Sequence, residues 1–156
     1  MLNNKKVLIL AENIYEDLEL WYPKLRLIEE GAKVIVAGTG DKTYKGKNGY
    51  PLEVDGNIED CKAKDFDAVI VPGGFAPDKL RRYREVLELV KQMHDSGKLV
   101  AAICHGPWVL VSSGILKGKK VTCVSAIKDD VINAGAKYFD REVVVDANIV
   151  TSRKPD

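Results

Sequence analysis

A cysteine, a histidine and a glycine follow one another at the end of an apolar run, in the segment LVAAICHGPW at residues 99–108. Gly106 lets the chain turn sharply, and Pro107 suits the first turn of a helix. The pattern is similar to the strand–turn–helix nucleophile elbow of G-x-S-x-G hydrolases, with cysteine in place of serine. The positive end of the helix favours a thiolate, so the segment predicts a lowered pKa for Cys104. Core packing of a small apolar cysteine is the alternative interpretation.

Two glycines end another apolar run, in the sequence Val71-Pro72-Gly73-Gly74. They can simply form a turn, or their backbone N–H groups can bind an oxyanion at the tip of a strand. The elbow also frees the N–H of His105 to share an oxyanion site with Gly74. The His105 side chain could orient or activate the thiol, but no carboxylate partner is adjacent in the sequence.

The other two cysteines, Cys61 and Cys123, lack this context and are interpreted as structural thiols. Three widely spaced cysteines and two histidines, without a C-x-x-C pair, do not make a zinc-type ligand set. They favour free thiols in a reducing compartment. No metal or organic cofactor is predicted.

Nucleotides, nucleic acids and membranes are not predicted as partners. Acidic residues follow the first apolar run, at Glu12, Glu16 and Asp17, where a dinucleotide-binding fold needs a glycine-rich turn. The 24 basic and 23 acidic residues leave no charge excess to attract nucleic acid or a membrane surface. The first apolar run, Val7–Ala11, is too short for a signal peptide or a membrane span, so we predict a cytoplasmic protein.

Short Val- and Ile-rich runs alternate with helical patterns along the whole chain. Strands are predicted at 6–11, 33–38, 67–72, 99–104, 120–124, 142–146 and 148–151. Helices are predicted at 16–30, from Asp78 or Arg84 to Ser96, from Pro107 to Gly114, and at 127–133, with a small hairpin within 39–57. This alternation predicts one α/β domain, residues 1–156, with a parallel sheet between helices. Ligands bind at the carboxyl ends of such strands, where Cys104 and the glycine pair lie.

Taken together, these motifs resemble the ThiJ/PfpI superfamily, and most nearly the PfpI-type intracellular cysteine peptidases. The likeness rests on AICHGP at 102–107, VPGG at 71–74, YEDLE at 15–19, and IKDD with NAG within 127–135. It implies a flavodoxin-like, doubly wound, mostly parallel sheet sandwiched by helices. It also implies dimers, often hexamers, and a final helix that is missing after Asp156.

The resemblance implies Cys104 as the nucleophile and His105 as its imidazole partner. Glu16 would be the carboxyl group hydrogen-bonded to the thiol. The acid that completes the triad would come from a neighbouring subunit at Asp78, where relatives commonly have the longer Glu. Val124 stands where some relatives have a Tyr.

For the oxyanion and substrate, the resemblance implies binding by Gly73, Gly74 and the backbone N–H of His105. Its first functional implication is a peptidase-type hydrolase, in which a thiolate attacks a peptide carbonyl. The alternative is a glutathione-independent glyoxalase or protein deglycase, in which the thiolate attacks an α-oxoaldehyde. A third hypothesis is a redox or stress-response protein that senses oxidants through Cys104.

Overall fold

The computed structural model describes residues 1–156 and shows a seven-stranded sheet flanked by helices. The strands are β1 (Lys6–Leu10), β2 (Lys33–Gly38), β3 (Thr43–Lys45), β4 (Pro51–Glu53), β5 (Gly56–Asn57), β6 (Ala68–Val71), β7 (Leu99–Ile103), β8 (Lys120–Val121), β9 (Lys137–Tyr138), β10 (Val143–Asp146) and β11 (Ile149–Ser152). The helices are α1 (Asp17–Glu29), α2 (Ala76–Leu80), α3 (Arg84–Asp95), α4 (Pro107–Ser112) and α5 (Lys128–Asn133).

The main sheet has the strand order β10-β11-β7-β6-β1-β2-β5, and only the β10–β11 pair is antiparallel. This topology confirms the predicted flavodoxin-like, mostly parallel sheet. In the parallel β6–β7 register, Val71 lies opposite Ala102. The residues that follow these two strands, Gly73 and Cys104, therefore emerge at the same edge of the sheet.

The helix predicted from Asp78 or Arg84 to Ser96 begins at the later of these two residues, as α3, because Tyr83 before it has an extended backbone (φ −92°, ψ 119°). Asp78 lies on the separate helix α2. The strand predicted at 120–124 is limited to β8, which pairs with β9 outside the main sheet. The predicted hairpin within 39–57 is present as β3 and β4.

The inner strands β1 and β6 are buried on both faces, as their continuous apolar runs predict, whereas the edge strand β10 exposes Val143 and Val145. Leu8, Ile9, Val69 and Val100 are fully buried in one apolar cluster. No helix of this structure combines the length and the apolar composition needed to cross a membrane.

Helix α1 carries an apolar stripe that its own chain leaves largely uncovered. Leu18, Tyr22, Leu25 and Ile28 are exposed, although they fall at the helical spacing that predicted this element. The buried residues of α1 are instead Glu19 and Leu20. A buried glutamate in the first turn of a surface helix needs a polar partner, and it lies at the edge of the sheet where Cys104 emerges.

Candidate active site

Cys104 occupies the tight turn between β7 and α4, with a backbone φ of +60°. This left-handed conformation is uncommon for a residue other than glycine. Hydrogen bonds hold it in place, because the Cys104 N–H donates to Ser152 O (3.0 Å) and its carbonyl accepts from Val124 N (3.2 Å). A Cβ at Gly106 would collide with the carbonyl of Val71, so glycine is required for the turn to close. The strand–turn–helix elbow predicted from the sequence is therefore present in the structure.

Glu19, and not Glu16, is the carboxyl group that lies against the thiol. The Glu19 side chain lies close enough to Cys104 to raise the pKa of its thiol, and its Oε2 accepts from the backbone N–H of Gly73 at 2.6 Å. Glu19 is almost fully buried, and its Oε1 has no hydrogen-bond partner in the protein. In this structure Glu16, which the resemblance implies at this position, makes no hydrogen bond to the thiol.

The start of α1 explains which of the two carboxylates reaches the thiol. Glu16 is the residue that caps this helix, and its Oε2 accepts from the N–H of Glu19 at 3.1 Å. Its Oε1 faces the Asn48 side-chain amide at 3.5 Å. The Glu16-x-x-Glu19 spacing matches the position pattern of a capping box, which is the sequence feature that could have separated the two roles.

Burial dominates the protonation of the thiol and of its carboxyl partner. Burial raises the pKa of Glu19 from 4.5 to about 7, and the Gly73 N–H only partly offsets this shift. Burial, followed by the negative charge of Glu19, raises the pKa of the Cys104 thiol to about 12. The lowered thiol pKa predicted from the sequence is therefore wrong. Helix α4 has only six residues, so its positive end does not outweigh these two effects.

His105 contributes two groups to the surroundings of the thiol. Its Nδ1 lies 3.4 Å from Cys104 Sγ, and its backbone N–H acts to lower the pKa of the same thiol. Burial lowers the pKa of the imidazole, which favours the neutral ring. The ring packs edge-on against Trp108 with a centroid separation of 5.3 Å, and it makes no hydrogen bond to a carboxylate of its own chain.

Asp78 lies on α2, where its carboxylate forms an ion pair with Arg82 of the same helix. Nothing in the chain joins Asp78 to His105. The monomer therefore brings Cys104, His105 and Glu19 together and does not join Asp78 to them.

The two glycines after β6 have different roles. The Gly73 N–H is already bonded to Glu19, so it is not the free oxyanion donor that the sequence suggested. Gly74 has a positive φ (+73°), and its N–H donates to no protein acceptor. A Cβ at Gly74 would come within 2.5 Å of the Ile14 carbonyl, so glycine is needed here. The backbone donors left for an oxyanion are those of Gly74 and His105.

Two clefts lie near this edge of the sheet. A narrow one of about 200 Å³ reaches Glu19 and Ile103 from the side of α1. A larger one of about 610 Å³ opens beside the ends of β1 and β2, but Cys104 and Glu19 do not line it. No group of three or more His, Cys, Asp or Glu side chains is arranged to hold a metal ion.

The structure defines a class of α/β protein with a flavodoxin-like sheet. At the carboxyl edge of this sheet, a cysteine thiol lies on a strand–turn–helix elbow next to a buried glutamate. Within that class, the DJ-1/PfpI family model matches residues 5–156, and the chain belongs to this family.

Curated relatives with two kinds of name match the chain over nearly its full length. A Pyrococcus furiosus protein named Deglycase PfpI is 47% identical over 150 residues, which is 96% of this chain and 90% of the relative. Protein/nucleic acid deglycase 2 of Escherichia coli is 40% identical over 98% of this chain and 91% of its own. The Bacillus subtilis protein YraA, provisionally named a cysteine protease, is 44% identical over 98% and 91%.

Solved structures show the same fold. The DJ-1/ThiJ/PfpI-like region of a two-domain Anabaena variabilis protein superposes with a TM-score of 0.94 at 45% identity, covering 96% of this chain. The chain spans 44% of that protein, which also has a ferritin-like domain. Drosophila melanogaster DJ-1beta superposes with a TM-score of 0.90 at 31% identity, covering 97% of this chain and 82% of the fly protein.

Proposed function

We propose that the chain is a thiol-dependent deglycase or glyoxalase that acts on α-oxoaldehydes or on their adducts with amino groups. The observation that carries this proposal is the pairing of the Cys104 thiol with the buried carboxyl group of Glu19. A carboxyl group with a pKa of about 7 can both accept and return a proton at neutral pH. Relatives named deglycases at 47% and 40% identity support the same assignment.

The first step is addition of the thiol to the aldehyde carbon. The S–C bond forms, the carbonyl π pair moves to oxygen, and the thiol proton passes to ionised Glu19. The N–H groups of Gly74 and His105 are the donors available to the developing oxyanion. This oxyanion takes the proton from Glu19, which gives a hemithioacetal and leaves Glu19 ionised.

Internal proton transfer then completes the chemistry without an external oxidant. Glu19 removes the proton from C1 of the hemithioacetal, and a proton returns to C2, so that C1 is oxidised and C2 is reduced. The product is a thioester of a 2-hydroxy acid. Water cleaves the S–C bond of this thioester, which releases the 2-hydroxy acid and regenerates the Cys104 thiol. On an amino adduct, the S–C1 bond forms as the C1–N bond breaks, and the amine leaves with the thiol proton, which gives the same hemithioacetal.

Peptide hydrolysis is the second candidate, and the contact between His105 and Cys104 favours it. An imidazole 3.4 Å from the sulfur is placed to protonate a leaving amine. This role needs a carboxylate to orient His105, and its own chain supplies none.

We further propose that the chain works as a homo-oligomer, a dimer or a hexamer, in which Asp78 of one subunit serves His105 of another. The exposed apolar stripe of α1, which lies beside the site, supports association with a second copy. The sensing hypothesis receives less support, because oxidation by peroxide follows thiolate character and the pKa of Cys104 is raised to about 12.

A substrate panel tests the proposal directly. Methylglyoxal, methylglyoxal-treated N-acetyl-lysine and fluorogenic peptides are supplied to the wild type, to Cys104→Ala and to Cys61→Ala. We expect the wild type and Cys61→Ala to form lactate at equal rates, and Cys104→Ala to form none. Cys61 is a suitable control because it is half-buried and donates only to the Asn57 carbonyl. Peptide cleavage without lactate formation would show that the chain is a peptidase and not a deglycase or glyoxalase.

A further inference from the structure

Lys47 is a cation beside the thiol that the proposed chemistry does not use. It lies in the turn between β3 and β4, is exposed, and forms no ion pair or side-chain hydrogen bond within the protein. Its positive charge acts on Cys104, on Glu19 and on His105, lowering the pKa of each. It is the only basic side chain that acts on all three groups.

The backbone of Lys47 is fixed in this position by Tyr15. The Lys47 N–H donates to the Tyr15 carbonyl at 2.7 Å, and the Tyr15 hydroxyl donates to Tyr50 O at 2.9 Å. Tyr15 also pairs with Gly46 on one side and with Gly74 on the other. The buried Tyr15 therefore lies between the turn that carries Lys47 and Gly74, whose N–H is free for an oxyanion.

Asp17 closes the turn from the helix side. Its carboxylate accepts from the backbone N–H of Asn48 (2.9 Å), from the Asn48 side chain (3.3 Å) and from the N–H of Tyr50 (3.2 Å). Because these donors satisfy Asp17, and because Glu16 caps α1, neither acid pairs with the nearby ammonium. The positive charge of Lys47 is therefore available to a ligand.

An unpaired ammonium on a fixed turn beside a nucleophile attracts the anionic part of a substrate. Its neighbours Glu19 and Glu16 would otherwise repel such a group. We propose that Lys47 is a specificity-determining residue, which binds a carboxylate carried by the substrate. The favoured substrates are then α-oxoaldehydes that also carry a carboxylate, such as 4,5-dioxopentanoate, or amino adducts of such compounds. This inference deepens the proposed function and rests on it for the identity of the substrate, but not for the binding of the anion.

Two alkylating reagents that differ only in charge test the anion binding without any assumed activity. Iodoacetate is anionic and iodoacetamide is neutral, and each forms an S–C bond to Cys104 with loss of iodide and of the thiol proton. For Lys47→Met, we expect the ratio of the iodoacetate rate to the iodoacetamide rate to fall about five- to tenfold, as expected for one partly solvated charge at close range. Lys47→Arg should retain most of the ratio.

Lys45→Met is the matched control, because Lys45 is an exposed lysine of the same hairpin and the charges of Cys104, Glu19 and His105 are not coupled to it. Its rate ratio should equal that of the wild type. An unchanged ratio in Lys47→Met overturns the inference, and so does an equal change in Lys45→Met. Both would mean that Lys47 does not recruit anions to Cys104.

Turnover then connects the residue to the substrate class. With 4,5-dioxopentanoate and methylglyoxal as substrates, Lys47→Met should lose kcat/KM about five- to tenfold more for 4,5-dioxopentanoate, mainly through KM. If the alkylation ratio falls but the wild type turns over neither aldehyde, the proposed function fails while the anion site stands. If both aldehydes are turned over and their kcat/KM ratio does not change in Lys47→Met, the proposed function stands and the role of Lys47 in substrate selection fails.

Discussion

The Glu19 carboxylate accepts the Gly73 N–H at 2.6 Å, and this bond fixes the buried acid beside the Cys104 thiol. Gly73 thus positions a proton acceptor at the tip of β6, and the oxyanion donors lie next to it at Gly74 and His105. The protonation of Glu19 consequently controls both the chemistry of the site and the stability of the fold.

Replacing Glu19 with Gln should stabilise the protein at alkaline pH. The pKa of Glu19 is raised by burial from 4.5 to about 7, so between these values the folded chain holds a proton that the unfolded chain has released. Stability from this group is therefore greatest below pH 4.5, decreases as the pH rises, and is lost above pH 7. Glu19→Gln removes a penalty of about 3 kcal/mol at most.

Urea unfolding at pH 5 and at pH 8.5 measures this effect. We expect Glu19→Gln to gain about 1–3 kcal/mol over the wild type at pH 8.5, and a much smaller amount at pH 5. The amide can still accept the Gly73 N–H through its oxygen. Equal effects of the substitution at both pH values would show that Glu19 does not titrate in this window.

Glu19 and Glu16 should have separable effects on the Cys104 thiol. Without the negative charge of Glu19, the pKa of Cys104 should fall, so Glu19→Gln should react faster with iodoacetamide at pH 8.5 than the wild type does. Its turnover should nevertheless fall by about a hundredfold or more, because the proton acceptor is lost. Wild-type turnover should rise as the pH passes through 7, when Glu19 ionises.

Glu16→Gln is the comparison for this experiment. It weakens the cap of α1, which should cost about 0.5–2 kcal/mol of stability, and it should leave the iodoacetamide rate almost unchanged. A thiol that responds to Glu16→Gln and ignores Glu19→Gln would return the catalytic assignment to Glu16.

A methyl group at position 73 should disable the site. In Gly73→Ala, the new Cβ would lie 2.9 Å from Cys104 Cβ and would also collide with the Glu19 carboxylate. We expect the thiol–carboxyl contact to be broken and lactate formation to fall by at least about tenfold. Gly56→Ala is the control, since a Cβ there meets no atom within 4 Å. Full activity in Gly73→Ala, measured alongside Gly56→Ala, would contradict the close packing of position 73 against Glu19 and Cys104.

Subunit mixing tests whether Asp78 acts across an interface. Asp78→Asn and Cys104→Ala should each be inactive in peptide cleavage or strongly impaired in lactate formation. After subunit exchange in an equimolar mixture, a site with an intact thiol from one chain and an intact acid from the other should be active. In a dimer this gives about a quarter of the wild-type sites. No recovery, despite exchange verified by native mass spectrometry, would place Asp78 outside the active site.

The sheet and the elbow could be predicted from the sequence because their patterns are local. Continuous apolar runs indicate strands buried on both faces, and Gly106 with Pro107 indicates a sharp turn into a helix. The choice between Glu16 and Glu19 could not be made in this way, because it depends on the residue at which α1 begins. A shift of one residue in that start would move a different carboxylate toward the sheet.

Burial limited the sequence prediction in two further places. The pKa of Cys104 depends on desolvation and on a glutamate 85 positions away in the chain, and no local pattern reports either one. The apolar spacing of α1 correctly predicted a helix, but periodicity identifies an apolar face and not what covers it. Leu18, Tyr22 and Leu25 are exposed because the sheet contacts a different side of this helix.

The left-handed backbone of Cys104 has an evolutionary consequence. Glycine would adopt a φ of +60° without the penalty of about 1–2 kcal/mol that an L side chain incurs there. Removing the burial penalty at Glu19 would also make the fold more robust. Selection for stability alone would therefore remove the features of this site first. A descendant that no longer needed the activity but kept the fold would be expected to lose the Cys104 thiol and the buried Glu19 acid while keeping the rest of the sheet.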